Sequence, residues 1–80
     1  MKYSEDKTKE EIEKIANKMN LSKKVESVKY VSGFLHYSIS FDDKSSATVS
    51  RKHIDDYFDS EGKDGEHEIM NCLSVSTKFF

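Results

Sequence analysis

Residues 34–41 alternate strictly. Leu35, Tyr37, Ile39 and Phe41 occupy every second position, with Phe34, His36, Ser38 and Ser40 between them. Successive side chains of a strand point to opposite faces. The stretch therefore reads as a half-buried β-strand with one apolar face. Every other element must either extend that face or cover it. With 80 residues the chain has room for one core and one domain, residues 1–80.

Val25, Val28, Tyr30 and Val31 mark a strand before it, and Ser32 and Gly33 mark the turn between. A two-residue turn pairs Val31 with Phe34, Tyr30 with Leu35 and Val28 with Tyr37. That register sets Val28 and Tyr30 on the face of Leu35, Tyr37 and Ile39. After Phe41 come Asp42, Asp43, Lys44, Ser45 and Ser46, and then Ala47 and Val49 as the apolar positions of a third strand. An even loop length would turn both residues to the wrong face. The connection is expected to be odd, over residues 42–44 or 42–46.

Two helices are expected to flank this meander. Thr8 and Glu11 have the spacing of a capping box, and Ile12, Ile15, Ala16 and Met19 follow as one apolar stripe. The spacing predicts a helix over residues 9–19, ended near Asn20, with Glu10 and Lys14 paired on its surface and residues 1–7 frayed. Ser50 is a candidate N-cap for a second helix over 51–60, carrying Ile54, Tyr57 and Phe58, with Gly62 as its left-handed stop. Residues 62–65 read as loop. At the C-terminus, Asp64 is a candidate cap for a helix reaching about Leu73, followed by an extended stretch over 75–80. Alternation from Ile69 to Phe79 leaves a strand open there. The expected class is α+β: a three-stranded antiparallel meander with helices on one face, in the order α-β-β-β-α, with a further short helix or strand at the C-terminus.

Composition narrows the function classes. Four tyrosines and five phenylalanines argue against a disordered chain despite 35% charged residues. No apolar run approaches the roughly 18 residues of a membrane span, and the N-terminus lacks the apolar core of a signal peptide. The single cysteine, Cys72, excludes an intramolecular disulfide. Together these point to the cytoplasm. The net charge of −2 conceals an asymmetry: residues 1–41 carry eight lysines against six carboxylates, residues 42–80 five bases against nine acids.

No catalytic signature is present. His36, His53, His67 and Cys72 show no metal-ligand spacing, and the three glycines form no phosphate loop. The chain is read as a non-enzyme without cofactor. An RNA- or DNA-binding domain is one alternative, since α-β-β-β-α is also the order of double-stranded-RNA-binding domains. Lys23, Lys24, Arg51 and Lys52 would then carry the phosphates. A pI near 5.9 argues against direct nucleic-acid binding. An antitoxin or regulatory interaction protein is another. The third reading starts from the acids: Asp55, Asp56, Asp59, Glu61, Asp64 and Glu66, with Asp42 and Asp43 at the hairpin tip, form a surface suited to a basic groove.

The element order, the amphipathic start from Glu11 to Ile15, the hairpin over 40–46 and the acidic run over 55–68 resemble small phage-encoded anti-CRISPR inhibitors of effector nucleases. The resemblance implies a protein of the host-cell cytoplasm that blocks a nucleic-acid-processing complex. It also implies that these eight acids meet the partner, a host protein or ribonucleoprotein with a basic groove. Homodimerisation by strand addition at an open sheet edge remains a further option.

Overall fold

The computed structural model describes residues 2–75 and 77–78. Its elements are α1 (Glu5–Lys18), β1 (Val25–Val31), β2 (His36–Phe41), β3 (Ser45–Ser50), α2 (Arg51–Asp59), α3 (Glu66–Ser74) and β4 (Thr77–Lys78). The strands form one antiparallel sheet in the order β1-β2-β3-β4. The α+β meander expected from the sequence is present. Its C-terminus supplies both a helix and a strand: α3 reaches Ser74, and β4 pairs Ser45 with Lys78 and Ser46 with Thr77. Residues 76, 79 and 80, expected to be extended, lie outside the described residues, as does Met1.

The core is a single cluster. Val28, Tyr37, Ile39, Phe41, Ala47 and Val49 supply the sheet side, and Ile12, Ile15, Ala16, Ile54, Ile69 and Leu73 supply the helices. Each fully buried aliphatic side chain here contributes about 1.5–3 kcal/mol relative to exposure. The opposite sheet face carries Lys29, His36, Ser38, Ser40, Ser46, Thr48 and Ser50, partly or fully exposed.

The β2–β3 connection has the expected odd length. Residues 42–44 form it, and Ile39 faces Ala47 while Tyr37 faces Val49. A turn closes from Lys44 N to Phe41 O at 3.2 Å, and Lys44 takes a left-handed φ of 70°. A turn followed by one left-handed residue is the usual build of a three-residue hairpin.

The β1–β2 connection differs from expectation. It spans residues 32–35, and Val28 faces Ile39 while Tyr30 faces Tyr37. The register slides by two residues, so every apolar position of β1 keeps its face. The exception is Leu35. It leaves the strand, takes φ 53° and stands 57% exposed. In exchange its carbonyl accepts from Arg51 N at 3.0 Å, which ties the turn to the start of α2. Near the other end of β1, Val25 faces Phe41 and Ser27 faces Ser40, so Glu26 is the extra residue of a bulge. The bulge lets Val25 and Val28, three apart in sequence, pack against the same core.

α1 begins a turn earlier than expected. Ser4, not Thr8, is the N-cap and accepts from Lys7 N at 3.1 Å. Glu5 and Asp6 then fill the first turn, where the helix dipole favours acids. Thr8 instead joins the inward stripe and is fully buried. On the helix surface Lys14 pairs with Glu11 at 2.9 Å rather than with Glu10. The helix closes as a Schellman motif: Leu21 N bonds Ala16 O and Asn20 N bonds Asn17 O, with Asn20 at φ 57°.

α2 is capped by Ser50 as expected, which accepts from Lys52 N. Its C-terminus is also a Schellman motif, but Glu61 rather than Gly62 takes the first left-handed position, φ 57°. Gly62 N bonds Tyr57 O at 2.8 Å. Asp64 does not cap α3. Gly65 holds that position at φ 84°, while Asp64 N donates to Ser60 Oγ at 2.8 Å.

Two predictions follow from this geometry. A Cβ at Gly65 would stand 2.7 Å from His53 O, whereas one at Gly33 meets nothing within 4 Å. Gly65→Ala is expected to cost roughly 2–4 kcal/mol by combining a left-handed penalty with a backbone clash, and Gly33→Ala to stay within about 0.5 kcal/mol; urea denaturation measures both. Inserting one glycine after Asp43 is expected to leave unfolding cooperative at a cost of about 1 kcal/mol, because a four-residue loop still sets Ile39 opposite Ala47 and Tyr37 opposite Val49.

Candidate functional site

The eight acids singled out from the sequence meet different fates. Asp42 is built into the sheet end: its Oδ1 accepts from Lys24 N at 3.0 Å and its own N donates to Lys24 O at 2.9 Å. Asp43 closes a turn by accepting from Ser45 N at 2.9 Å and from the Ser45 hydroxyl. Both sit before β3, whereas α2 follows it, so a strand length of about 17 Å separates them from the start of α2.

The acids of α2 and beyond divide further. Asp55 is largely covered and pairs with Arg51 Nε at 3.3 Å. The Arg51 guanidinium is held above its ordinary pKa, first by the Tyr30 hydroxyl and then by Asp55. Glu66 reaches Lys18 Nζ at 2.9 Å and so joins the first turn of α3 to the last turn of α1. Asp59 binds the N-terminal arm: Lys2 Nζ lies 2.7 Å from Oδ2, and the Tyr3 hydroxyl donates to Oδ1. Asp56, Glu61 and Asp64 remain exposed, and their carboxylates have no partner among the described residues.

For residues 2–7 the arm corrects the expectation that residues 1–7 are frayed. The Tyr3 ring stacks on Phe58 with centroids 4.3 Å apart, and Lys7 Nζ stands 5.3 Å from both rings. The buried Tyr37 hydroxyl donates to Tyr3 O at 3.1 Å. Burial is the main reason its pKa is raised, with the neighbouring Thr8 hydroxyl acting the other way. Apart from that of Lys7 with Tyr3, these contacts of the arm are between residues more than 30 apart in sequence, which local pattern does not reveal.

Two exposed apolar side chains stand in the β1–β2 turn, of which Leu35, expected on the inward face, departs from the sequence pattern. Phe34 is 77% exposed and Leu35 57%; the Phe34 ring lies over His36 at 5.7 Å. Leu35 forms the rim of a shallow, open hollow of about 370 Å³ lined also by Ser50, Arg51, Lys52, Asp55 and Asp56. The sequence signal was present in part: Ser-Gly is a weaker two-residue hairpin turn than Asn-Gly, so a longer loop that released Leu35 was open.

The hollow joins an apolar rim to one unpaired acid, Asp56, and one exposed base, Lys52. That arrangement suits contact with a protein surface. Among the described residues no group of three or more His, Cys, Asp or Glu side chains is placed to hold a metal. Cys72 is raised in pKa by burial, which disfavours the reactive thiolate. Of the bases an RNA-binding reading would use, Lys23 donates to Ser45 Oγ at 3.1 Å and lies over the Phe41 ring, and Arg51 is held by Asp55. No helix among the described residues is long and apolar enough to cross a membrane.

The arm gives a pH prediction. Hydrogen bonds from Lys2, then Tyr3, hold Asp59 below its ordinary 3.8, and the Asp59 bond holds Lys2 above 10.5. A depressed acid stabilises the docked arm above its unfolded pKa and loses that effect as pH falls through the folded value. A raised lysine does the reverse, losing it as pH climbs past 10.5. The Tyr3 ring resonances are expected to move toward free-tyrosine positions as pH falls below 3.8, while at the alkaline end loss of the Lys2 pair overlaps ionisation of the Tyr3 hydroxyl, whose pKa the Asp59 bond raises above 10.0. Asp59→Asn should abolish the acid step.

In comparisons with known proteins, no family model, no curated protein and no solved structure matches this chain.

Proposed function

We propose that this chain is a non-enzymatic binding domain that inhibits a host nucleic-acid-processing complex, of the anti-CRISPR type that its layout resembles. The observation that supports a docking role is the exposed pair Phe34 and Leu35 beside the hollow at the start of α2. Exposed apolar side chains grouped at a rim of charged residues are the common make-up of a protein-binding surface. Asp56, Glu61 and Asp64 are the acids left for a basic partner, because Asp42, Asp43, Asp55, Asp59 and Glu66 are engaged within the fold. The apolar pair would then carry much of the affinity, and the acids would steer encounter and register.

The test is affinity capture from a host lysate with quantitative mass spectrometry. The wild-type chain is expected to retain a nucleic-acid-binding protein or ribonucleoprotein. Capture should fall about tenfold or more on joint reversal of Asp56, Glu61 and Asp64 to lysine, and on Phe34→Ser with Leu35→Asn. It should also weaken with salt, since exposed charges are screened beyond about 8–10 Å near physiological ionic strength. Unchanged capture by both variants, with their circular dichroism intact, sinks the proposal. A shift of labelled duplex RNA by the wild-type protein would favour the nucleic-acid-binding alternative instead.

A further inference from the structure

The end of α2 already holds a ligand, and that ligand belongs to the chain itself. From the way it is held, we propose that Phe58 and Asp59 form a recognition site for a partner segment in which a cation precedes an aromatic ring. Lys2 and Tyr3 occupy that site in cis until the partner displaces them. The inference rests on the reading of α2 as a partner-facing helix and names the chemistry of what it meets.

The contacts are divided between distinct groups. The Tyr3 ring lies on Phe58 at 4.3 Å and 26° between planes, a stacked pair. Asp59 uses one oxygen for the Lys2 ammonium and the other for the Tyr3 hydroxyl. Lys7 adds a cation 5.3 Å from both rings. The Tyr37 hydroxyl fixes the arm's main chain through Tyr3 O at 3.1 Å. An acid beside an aromatic platform, with a main-chain anchor, selects a basic residue followed by an aromatic one.

The occupant is placed to leave. It precedes the N-cap Ser4, so its release does not unwind α1. The Lys2 and Asp59 side chains stay 48% and 47% exposed in the docked state, where an ion pair is easily exchanged. A tethered segment this short competes at an effective concentration of about millimolar. A free peptide therefore competes poorly, whereas a partner that also engages Asp56 and the Leu35 rim would prevail. Release returns Asp59 to the acids that face outward, beside Asp56 on the same helix.

The test titrates acetyl-Met-Lys-Tyr-Ser-amide into ¹⁵N-labelled full chain, wild type and Lys2→Ala/Tyr3→Ala, while following the Phe58 and Asp59 amides. Saturable shifts are expected in the variant, and about tenfold weaker binding in the wild type, whose site is mostly filled. Asp59→Asn placed on the variant should abolish them. Lys2→Ala alone, which keeps the ring stack, should bind to an intermediate degree and serves if the double variant unfolds. The idea is overturned if those amides do not move up to about 10 mM peptide, if wild type and variant respond alike, or if acetyl-Met-Glu-Ala-Ser-amide acts equally. Lysate capture tests the partner-facing reading separately: loss on reversing Asp56, Glu61 and Asp64 supports it whatever the peptide does.

Discussion

The two-residue period of the sheet is the constraint from which the rest of the structure follows. Tyr37 and Ile39 are completely buried, and a slip of one residue anywhere in the meander would turn a neighbouring strand's apolar set to water. The chain departs from regular geometry three times, at the Glu26 bulge, the four-residue turn over 32–35 and the three-residue turn over 42–44. Each departure preserves phase. The bulge brings Val25 back to the core side, the longer turn slides the register by an even step, and the shorter one has the odd length that Ala47 and Val49 require. The helices then cover the face that the sheet defines. Ile12, Ile15, Ile54, Ile69 and Leu73 all meet it in one cluster.

What was legible in the sequence was whatever depended on period and cap chemistry. The three strands, the Ser50 cap and the odd hairpin all follow from residues within about ten positions of one another. The misreadings share a different cause. Thr8 and Ser4 are both competent caps, and the choice between them is made by burial of Thr8 in the packed stripe. Glu61 rather than Gly62 takes the first left-handed position because the turn geometry places it there. The arm at Lys2 and Tyr3 is held by α2 residues more than 50 positions away. No local pattern carries such a contact.

The acids show the same division. In sequence, Asp55, Asp56, Asp59, Glu61, Asp64 and Glu66 form one run of like charge. In space they separate into two ion-paired groups that join elements, one paired within α2, and three that face solvent without a partner among the described residues. Asp59 ties the arm to α2, Glu66 ties α3 to α1, and Asp55 positions Arg51, whose backbone amide is already bound by Leu35 O. Much of the apparent acidic surface is thus structural. The net negative charge of the second half of the chain is offset locally by lysines from the first half, Lys2 and Lys18, which is why a count along the sequence overstated the field any partner would meet.

Leu35 decides where the remaining function is to be sought. Among the described residues four non-glycine positions hold positive φ: Asn20, Leu35, Lys44 and Glu61. Asn20 and Glu61 close Schellman motifs and Lys44 closes a three-residue hairpin, so each satisfies backbone groups at a helix end or a turn. Leu35 also serves its carbonyl to Arg51, but asparagine or glycine would do so without the roughly 1–2 kcal/mol that a branched side chain costs in that region. It is moreover apolar and turned to water, a second unfavourable choice at one position. A fold selected for stability alone has no reason to keep a leucine there. The double cost is explained if something else covers that side chain, which supports the proposal above that a partner docks at the hollow between Leu35 and the start of α2.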